Sequence, residues 1–259
     1  MIHDFIELSL RKRREVLLRH IRKAAGRFGL ISPGDHILLG VSGGKDSLVM
    51  LDLMSDKSVW WAREVKFTAA YIYAGFEQSE EKKNAIREFA QKRGVDLILE
   101  DKPEIARISF SENRPQNPCF ICSRMRRKSL VEIADRIGAN KIALGHHLED
   151  ALQTFLINVF FGRQIAGMMP NQELFKGRFH IIRPLFLIRE AQISNFSRMS
   201  VFPDLSAKCP MSGQTKREYV KDLLNRLEHE HPGLKRNMFR SLFHVKPDYL
   251  LGKYKKTDS

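Results

Sequence analysis

One stretch decides the fold: the apolar run His36–Val41 is followed, at positions 42–47, by Ser-Gly-Gly-Lys-Asp-Ser. A buried strand that turns at two glycines into a helix is typical of a phosphate-binding loop, because glycines let the backbone approach an anion and the helix N-terminus attracts it. The commonest such loop, the Walker A loop, places Ser or Thr after its lysine. Here Asp46 follows Lys45, and a carboxylate at this position is suited to hold Mg²⁺ that bridges phosphates.

The chain is strongly basic. Its 259 residues include 44 Lys and Arg against 30 Asp and Glu, which gives a formal net charge of +14. Such an excess favours a polyanionic partner through long-range attraction, and nucleic acid is the usual one. A predicted helix over Glu7–Phe28 carries basic residues at 11–14, 19, 22 and 23 opposite its apolar side. This side is a candidate for contact with RNA phosphates, and the alternative is a solvated helix face.

Cysteine usage and apolar segments exclude other classes of protein. Three cysteines, an odd number, argue against a disulfide framework. The N-terminus carries acids where a secretory signal needs bases. The most apolar run, at 151–161, is interrupted by polar residues and is too short to span a bilayer. The sequence therefore predicts a cytoplasmic protein with no membrane partner.

Strands and helices alternate after the glycine-rich loop. Strands are predicted at Val65–Tyr73, Val95–Leu99 and Lys141–Leu144, with a last edge strand at His180–Leu185. Helices are predicted over 46–54, 77–93, 123–137, 149–160, 189–199 and 216–229. Repeated strand-then-helix units predict an α/β fold with a doubly wound parallel sheet, which binds ligands beyond the carboxyl ends of its strands.

We expect three segments along the chain. Residues 1–33 form a basic helical segment, 34–200 a catalytic domain that carries a Cys-x-x-Cys pair, and 201–259 a helical region with the third cysteine and a basic tail. The N- and C-terminal segments are thus helical additions to the α/β domain.

The three cysteines form a second motif. Cys119 and Cys122 are spaced as Cys-x-x-Cys at the start of a predicted helix, and Cys209 stands alone later in the chain. Residue chemistry leaves three uses open. The pair could be a redox couple or half of a zinc site, which requires four N or S ligands. It could also hold part of an iron–sulfur cluster in which one iron has no protein ligand.

The string at 42–47 resembles the loop of the PP-loop (N-type) ATP pyrophosphatases, which cleave ATP between its α- and β-phosphates and adenylate a substrate oxygen. The cysteine pair with its following basic residues, the segment Gly145–Asp150 and the single later cysteine are similar to tRNA 2-thiolation enzymes. These are the 2-thiocytidine synthetases and their 2-thiouridine relatives. The resemblance covers residues 30–245.

This resemblance implies an ATP-dependent tRNA sulfurtransferase that adenylates the C2 oxygen of a tRNA pyrimidine and replaces it with sulfur. The implied cofactors are ATP, Mg²⁺ and a 4Fe-4S cluster held by Cys119, Cys122 and Cys209. The implied partners are tRNA and a sulfur donor, and a homodimer is left open. Alternatives are a lysidine-type ligase, a persulfide thiolase, or an iron–sulfur desulfurase or ATP-binding protein acting on a small sulfur compound.

Two features of the sequence favour different target bases. The 2-thiouridine enzymes usually carry zinc-binding cysteine clusters at both termini, which a chain with three cysteines lacks, and this favours cytidine. The amino-acid sequence of the segment from Cys209 to Gly233 is more similar to that of the 2-thiouridine enzymes. Cytidine is therefore the favoured base, with uridine as the alternative.

The resemblance also implies the site residues. The catalytic candidates are Asp46 for metal coordination, Arg126 for a phosphate and Asp150 at the target base. The alternative role of Asp150 is to complement the charge of a helix start. The candidates for nucleotide binding lie after the first, second and fourth strands and on the cysteine helix: Gly40, Val41, Ser42, Gly43, Gly44, Lys45, Asp46, Ser47, Ala70, Tyr71, Ile72, Arg126, Gly145 and His146.

Overall fold

The computed structural model describes residues 2–76, 80–111, 117–205, 210–211 and 215–250, with side chains from Glu7 onward. The strands in this part of the chain are β1 His36–Val41, β2 Lys66–Tyr73, β3 Asp96–Asp101, β4 Lys141–Leu144, β5 Asn171–Leu174 and β6 Phe179–Ile182. They form one sheet in the order β3-β2-β1-β4-β6-β5. Neighbouring strands run parallel except β5 and β6, which are antiparallel.

The helices connect and flank these strands. They are α1 Ile2–Phe28, α2 Lys45–Met54, α3 Glu80–Gln91, α4 Glu104–Ser109, α5 Pro118–Ile137, α6 Leu148–Phe161, α7 Glu190–Met199, α8 Lys216–Glu230 and α9 Leu234–Ser241, with 3-10 turns at Trp60–Ala62 and Pro247–Tyr249. None of the helices in the described ranges has the length and apolar character needed to cross a membrane.

Apolar residues cover both faces of the sheet. Successive side chains of a strand point to opposite faces, and in β1 this places Ile37 and Leu39 in a different buried cluster from Leu38. The first cluster contains apolar residues of α1, α2 and α7, and the second contains those of α5. Helices on both faces of a mostly parallel sheet confirm the predicted doubly wound α/β fold.

The strand predictions at 36–41 and 141–144 agree residue for residue with β1 and β4. The prediction of a last edge strand at His180–Leu185 is wrong in its bounds and in its place in the sheet. β6 ends at Ile182 and lies inside the sheet, because the short strand β5 pairs along its other side. The sequence of β5, Asn-Gln-Glu-Leu, lacks the apolar alternation that identifies a strand.

The cysteine helix also begins earlier than predicted. It was expected from Ser123, but α5 starts at Pro118 and contains both Cys119 and Cys122. The Asn117 side chain accepts a hydrogen bond from the Cys119 N–H at 2.9 Å, and Pro118 occupies the first helical turn. An Asn cap followed by proline is a favourable helix start, and it places the pair in the first turns of a regular helix.

The chain divides into two compact units. The first unit is Met1–Leu148 with Met169–Gly213, and it contains the whole sheet. The second unit is Glu149–Met168 with Gln214–Ser259, and it contains α8, α9 and all of α6 after its first residue. Helix α1 lies in the first unit, where Leu17, Leu18 and Ile21 are at most 2% exposed. The segment boundaries near 33 and 200 stay predictions.

A buried ion pair joins the chain before β1 to the start of β4. The Lys141 Nζ lies 2.7 Å from the Asp35 Oδ2, and the two side chains are 8% and 5% exposed. Asp35 also accepts hydrogen bonds from the Ser32 N–H at 2.6 Å and from the Asn140 side chain at 2.8 Å. Because its acceptors are satisfied, this carboxylate fixes the relative position of β1 and β4.

We expect Asp35→Ala to lower the free energy of unfolding by about 3 kcal/mol, because Lys141 would remain as an uncompensated buried charge. As a control, Glu132→Ala removes the exposed Lys128–Glu132 pair on α5, whose charged atoms are 3.6 Å apart. This variant should change the free energy of unfolding by less than about 0.5 kcal/mol. Urea titrations measure both values, and equal losses would contradict the expected difference.

Candidate active site

The predicted phosphate loop lies where the strand order of the sheet reverses. The chain passes from β1 to β2 and β3 on one side, and then to β4 on the other side of β1. In open α/β sheets, ligands bind in the crevice at this reversal, beyond the carboxyl ends of the strands. The loops at 42–44, after β1, and at 145–147, after β4, flank this crevice. The topology therefore brings together two of the predicted segments.

The two loop glycines have different roles. Gly43 has a φ of +82°, in the left-handed region that favours glycine. Gly44 has a φ of −76° and a ψ of 156°, which other residues also adopt, and it caps α2. A Cβ added to Gly44 would lie 3.6 Å from the Ser42 Oγ, its nearest neighbour and an ordinary contact distance. The fold therefore requires glycine only at 43, and the space beside Gly44 at the helix N-terminus fits an anion.

The two loop serines also differ. The Ser47 hydroxyl donates to the Gly44 carbonyl at 2.8 Å and accepts from the Ser42 N–H at 3.1 Å. The Ser42 hydroxyl donates to the Ser47 Oγ at 3.2 Å. Ser47 is 5% exposed, whereas Ser42 is exposed. Ser47 thus stabilises the loop conformation, and Ser42 carries the hydroxyl that lies at the surface.

Lys45 lies between two carboxylates. Its Nζ is 3.2 Å from the Asp46 Oδ2 and 3.2 Å from an Oε1 of Glu190, the first residue of α7. Burial lowers the pKa of Lys45, and the two carboxylates raise it. The combined effect of the carboxylates is the larger, so the pKa of Lys45 is above its ordinary value. The side chain is therefore a positive charge at neutral pH, fixed at the loop. Glu190 was missed from the sequence because it is 145 residues away from Lys45.

Asp46 presents a buried acceptor. Its Oδ1 is buried and accepts no hydrogen bond from any described residue. A buried acceptor without a donor costs free energy in the unliganded protein. Mg²⁺ prefers carboxylate oxygens and usually shares its coordination with phosphates. The chemistry of this oxygen therefore fits the predicted metal role of Asp46.

The segment after β4 packs directly on the backbone of the loop. A Cβ added to Gly145 would lie 3.0 Å from the Asp46 carbonyl carbon and 3.0 Å from the Ser47 nitrogen. Both atoms belong to the first turn of α2 and cannot move independently. Gly145 thus permits the close approach of the two loops, and its predicted contact with the nucleotide stays a prediction.

Arg183, the residue after β6, holds His146. Its Nε donates to the His146 Nδ1 at 3.3 Å, and its other nitrogens donate to the Met169 carbonyl and to the Gln172 Oε1. Arg183 is only 4% exposed. Because Nδ1 accepts this hydrogen bond, the neutral His146 ring carries its proton on Nε2. The sequence analysis did not predict a role for Arg183. Its position as a basic residue at the carboxyl end of a buried strand could have identified it as a candidate.

The predicted adenine segment lies near the end of β2. Ala70 and Tyr71 pair with β1 on one side and with β3 on the other. Ile72 pairs only with β3, since the β1 ladder ends at Tyr71. The β1-facing backbone of Ile72 therefore lies beyond the end of that ladder and is not paired with β1. Among the three residues, Ile72 is the best placed to hydrogen-bond a ligand through its backbone. Adenine binding by this segment stays a prediction.

Arg126 lies on α5, one turn after the cysteine pair. Its guanidinium carbon is 5.7 Å from the ring centroid of Phe76, which follows β2. The Arg126 Nε is buried and has no hydrogen-bond partner among the described residues. A buried donor without an acceptor is a candidate contact for an anion. This geometry is compatible with the predicted phosphate role of Arg126.

Both described cysteines are partly buried. Their spacing of three residues places Cys119 and Cys122 on the same side of α5. This helix runs antiparallel to the strands, because β4 follows it, so its N-terminus lies at the edge of the sheet that carries the phosphate loop. Cys209 lies outside the described residues, but the Leu205 N–H, four positions earlier, donates to the Gly43 carbonyl at 3.1 Å.

Within the described ranges, no group of three His, Cys, Asp or Glu side chains is arranged to hold a metal ion. The predicted set of three cysteines includes Cys209 and therefore stays a prediction. Asp150 lies in the second unit, in the first turn of α6, where a carboxylate complements the helix dipole. The Nη1 of Arg217, on α8, lies 3.3 Å from its Oδ1. Its predicted action at the target base stays a prediction.

We expect Gly44→Ala to bind ATP at least tenfold more weakly than wild type, because its methyl group would fill the space beside the helix N-terminus. Its free energy of unfolding should stay within about 1 kcal/mol of wild type. Gly43→Ala should lose about 1–2 kcal/mol of stability, because it forces alanine into a left-handed conformation. Calorimetric titration with a non-hydrolysable ATP analogue and urea unfolding measure these effects.

The matched control for Gly44→Ala is Gly26→Ala on α1, where an added Cβ meets no atom within 4 Å. This substitution should leave ATP binding unchanged and stabilise the helix by about 0.5–1 kcal/mol. Wild-type affinity of the Gly44→Ala variant for the ATP analogue would contradict the assignment of this space to a phosphate.

Comparison with known proteins agrees with this geometry. A family model described as "PP-loop domain" matches residues 15–206. The tRNA-cytidine(32) 2-sulfurtransferase of Pelobacter propionicus is 34% identical over 255 residues, which cover 96% of this chain and 94% of that protein. The protein of the same name from Geobacter sulfurreducens is 34% identical over 239 residues, covering 90% of this chain and 92% of that protein.

A solved structure is similar over almost the whole chain. The U34-tRNA thiolase NcsA from Methanococcus maripaludis, determined with its 4Fe-4S cluster, aligns with a TM-score of 0.76 and 25% sequence identity. The alignment covers 93% of this chain and 80% of the thiolase. The chain belongs to the PP-loop family, in the group that contains the tRNA-cytidine 2-sulfurtransferases.

Proposed function

We propose that this protein is an ATP-dependent tRNA sulfurtransferase that replaces the C2 oxygen of a tRNA pyrimidine with sulfur, with cytidine as the favoured base. The observation that carries the proposal is the position of Cys119 and Cys122. Both lie at the N-terminus of α5, on the edge of the sheet that carries the phosphate loop. The names of relatives that are 34% identical and match over more than nine-tenths of their length support the choice of cytidine.

The first half of the reaction activates the base. The C2 oxygen of a pyrimidine is a poor leaving group until it carries AMP. In this step the oxygen forms a bond to the α-phosphorus of ATP, while the bond from that phosphorus to pyrophosphate breaks. The loop at 42–47 would bind the departing phosphates, with Lys45 and Arg126 neutralising their charge and Asp46 Oδ1 ligating Mg²⁺. The metal would supply charge neutralisation along the phosphates.

His146 has a defined part in this proposal. Because Arg183 donates to its Nδ1, the ring offers an Nε2–H donor. A donor of fixed direction beside the loop after β4 can hydrogen-bond a nucleotide oxygen without a rearrangement of the ring. Arg183 acts through His146 and is therefore a positioning residue.

The second half of the reaction delivers sulfur. Thiolates are the usual ligands of iron–sulfur clusters, and Cys119, Cys122 and Cys209 would hold a 4Fe-4S cluster with one open iron. When bound, such a cluster supplies a site that holds sulfide. The C2–S bond forms as the C2–O bond breaks, and AMP leaves with the oxygen. The net reaction consumes ATP and one sulfide from a donor and releases AMP and pyrophosphate.

The substrate must reach this site with its base exposed. A base that undergoes chemistry has to be unstacked, either in a loop or by flipping. The net charge of +14 supports long-range attraction of tRNA. A cytoplasmic location follows from use of tRNA and ATP and belongs to this proposal, as does an external sulfur donor. A homodimer, which the sequence leaves open, is not part of this proposal.

The direct test is mass spectrometry of nucleosides from tRNA of cells with and without the gene. We expect 2-thiocytidine to disappear on deletion and to return with the wild-type gene, but not with genes encoding Cys119→Ser or Cys209→Ala. Loss of a 2-thiouridine would change the assigned base. Restoration by Cys209→Ala would favour a persulfide thiolase, and unchanged thionucleosides would refute the function.

We expect Asp150→Asn to slow tRNA thiolation by at least about 100-fold, because we place this carboxylate at the target base, where a catalytic acid or base contributes about this much. Affinity for ATP should stay unchanged, since the isosteric amide keeps the shape of the side chain. Single-turnover thiolation by anaerobically reconstituted enzyme measures the rate. The matched control is Asp222→Asn, which changes an exposed carboxylate of the same unit and should keep the wild-type rate. A wild-type rate for Asp150→Asn would contradict a catalytic role for Asp150.

A further inference from the structure

Three aromatic rings pack edge to face on the surface of the second unit. Phe160 and Phe161 end α6, and Tyr219 lies in the first turn of α8. The ring centroid of Phe161 is 6.2 Å from that of Phe160 and 6.4 Å from that of Tyr219. The three side chains are 48%, 43% and 61% exposed, in the order Phe160, Phe161, Tyr219. We call these three residues the aromatic platform.

A positive charge accompanies the aromatic platform. The Nζ of the exposed Lys216 lies 4.6 Å from the ring centroid of Phe161. Two carboxylates of the same unit are engaged with other residues: Glu218 accepts a hydrogen bond from the Thr215 hydroxyl at 3.1 Å, and Asp150 pairs with Arg217. Exposed rings beside a cation are the combination that holds single-stranded RNA, because bases stack on the rings and phosphates attract the cation.

The platform is connected to the carboxylate that we place at the target base. The α8 turn that carries Lys216 and Tyr219 also carries Arg217, whose Nη1 lies 3.3 Å from the Asp150 Oδ1. Asp150 and Phe161 are eleven residues apart on α6, a rise of about 16 Å. Stacked nucleotides rise about 3.4 Å each along a strand, so nucleotides about five positions apart in one RNA loop can reach both places.

We propose that the aromatic platform stacks an unpaired base of the tRNA loop that contains the target pyrimidine, and this inference rests on the proposed function. Charge distinguishes RNA from a second copy of the chain as the occupant. Each copy carries a net charge of +14, so two copies repel each other, whereas an RNA phosphate attracts Lys216. Stacking also tolerates any base, because every base has a π face.

The test uses an unmodified tRNA transcript with 2-aminopurine in the loop, about five positions from the target pyrimidine. The fluorescence of 2-aminopurine falls when an aromatic ring stacks on it. We expect wild type to quench this fluorescence. Phe161→Leu and Tyr219→Leu should each bind the transcript at least about fivefold more weakly and lose the quenching. Phe161→Tyr, which keeps an aromatic ring, should keep both the affinity and the quenching.

The matched control is Tyr249→Leu. Tyr249 lies in the same unit, is 84% exposed and has the Lys246 Nζ 5.7 Å from its ring centroid. This substitution makes the same change outside the aromatic platform and should leave the binding of tRNA unchanged. A perfectly paired RNA duplex should bind wild type, Phe161→Leu and Tyr219→Leu equally, because it has no unpaired base to stack.

Three results would overturn the proposal. The first is wild-type affinity and quenching for Phe161→Leu and Tyr219→Leu in an enzyme that still thiolates tRNA. The second is an equal loss for Tyr249→Leu. The third is a wild-type dimer, measured by sedimentation, that Phe161→Leu converts to a monomer, which would make the platform an interface between copies. If wild type itself neither binds nor thiolates tRNA, the proposed function fails instead.

Discussion

The close approach of two loops at the carboxyl ends of β1 and β4 is the constraint on which the candidate site depends. At Gly145, a single Cβ would lie 3.0 Å from the backbone of Asp46 and Ser47. The first turn of α2 is therefore packed against the end of β4 as closely as the backbone allows. This contact fixes the direction in which the N-terminus of α2 faces the crevice. The Asp35–Lys141 pair secures the same two strands at their opposite ends.

Around that contact, the site contains polar groups that the described residues leave without a hydrogen-bond partner. The Asp46 Oδ1 and the Arg126 Nε are buried and have no hydrogen-bond partner among the described residues. Folding leaves such groups unpaired at a cost in free energy, and a ligand that supplies the missing partner recovers it. One is an acceptor suited to Mg²⁺ and the other a donor suited to phosphate. Lys45, by contrast, is already held by Asp46 and Glu190.

The two compact units carry different chemistry. In the first unit, the phosphate loop, the Arg183–His146 pair and the cysteine pair lie at one edge of the sheet, which suits nucleotide activation and sulfur delivery. The second unit contributes Asp150, held by Arg217, and the aromatic platform with Lys216. Carboxylate, cation and exposed rings suit an RNA loop. Under the function that we propose, the first unit binds ATP and the second recognises the tRNA loop.

The sequence by itself determined the α/β fold, the bounds of β1 and β4, and the loop at 42–47, because each of these is written in consecutive residues as apolar periodicity or turn chemistry. The tertiary structure alone decided the pairing of Lys45 with Glu190 and of His146 with Arg183, whose members are 145 and 37 residues apart. It also decided the antiparallel strand β5, whose four residues lack a strand pattern. These features arise from neighbours that only the folded chain brings together, and local sequence does not encode them.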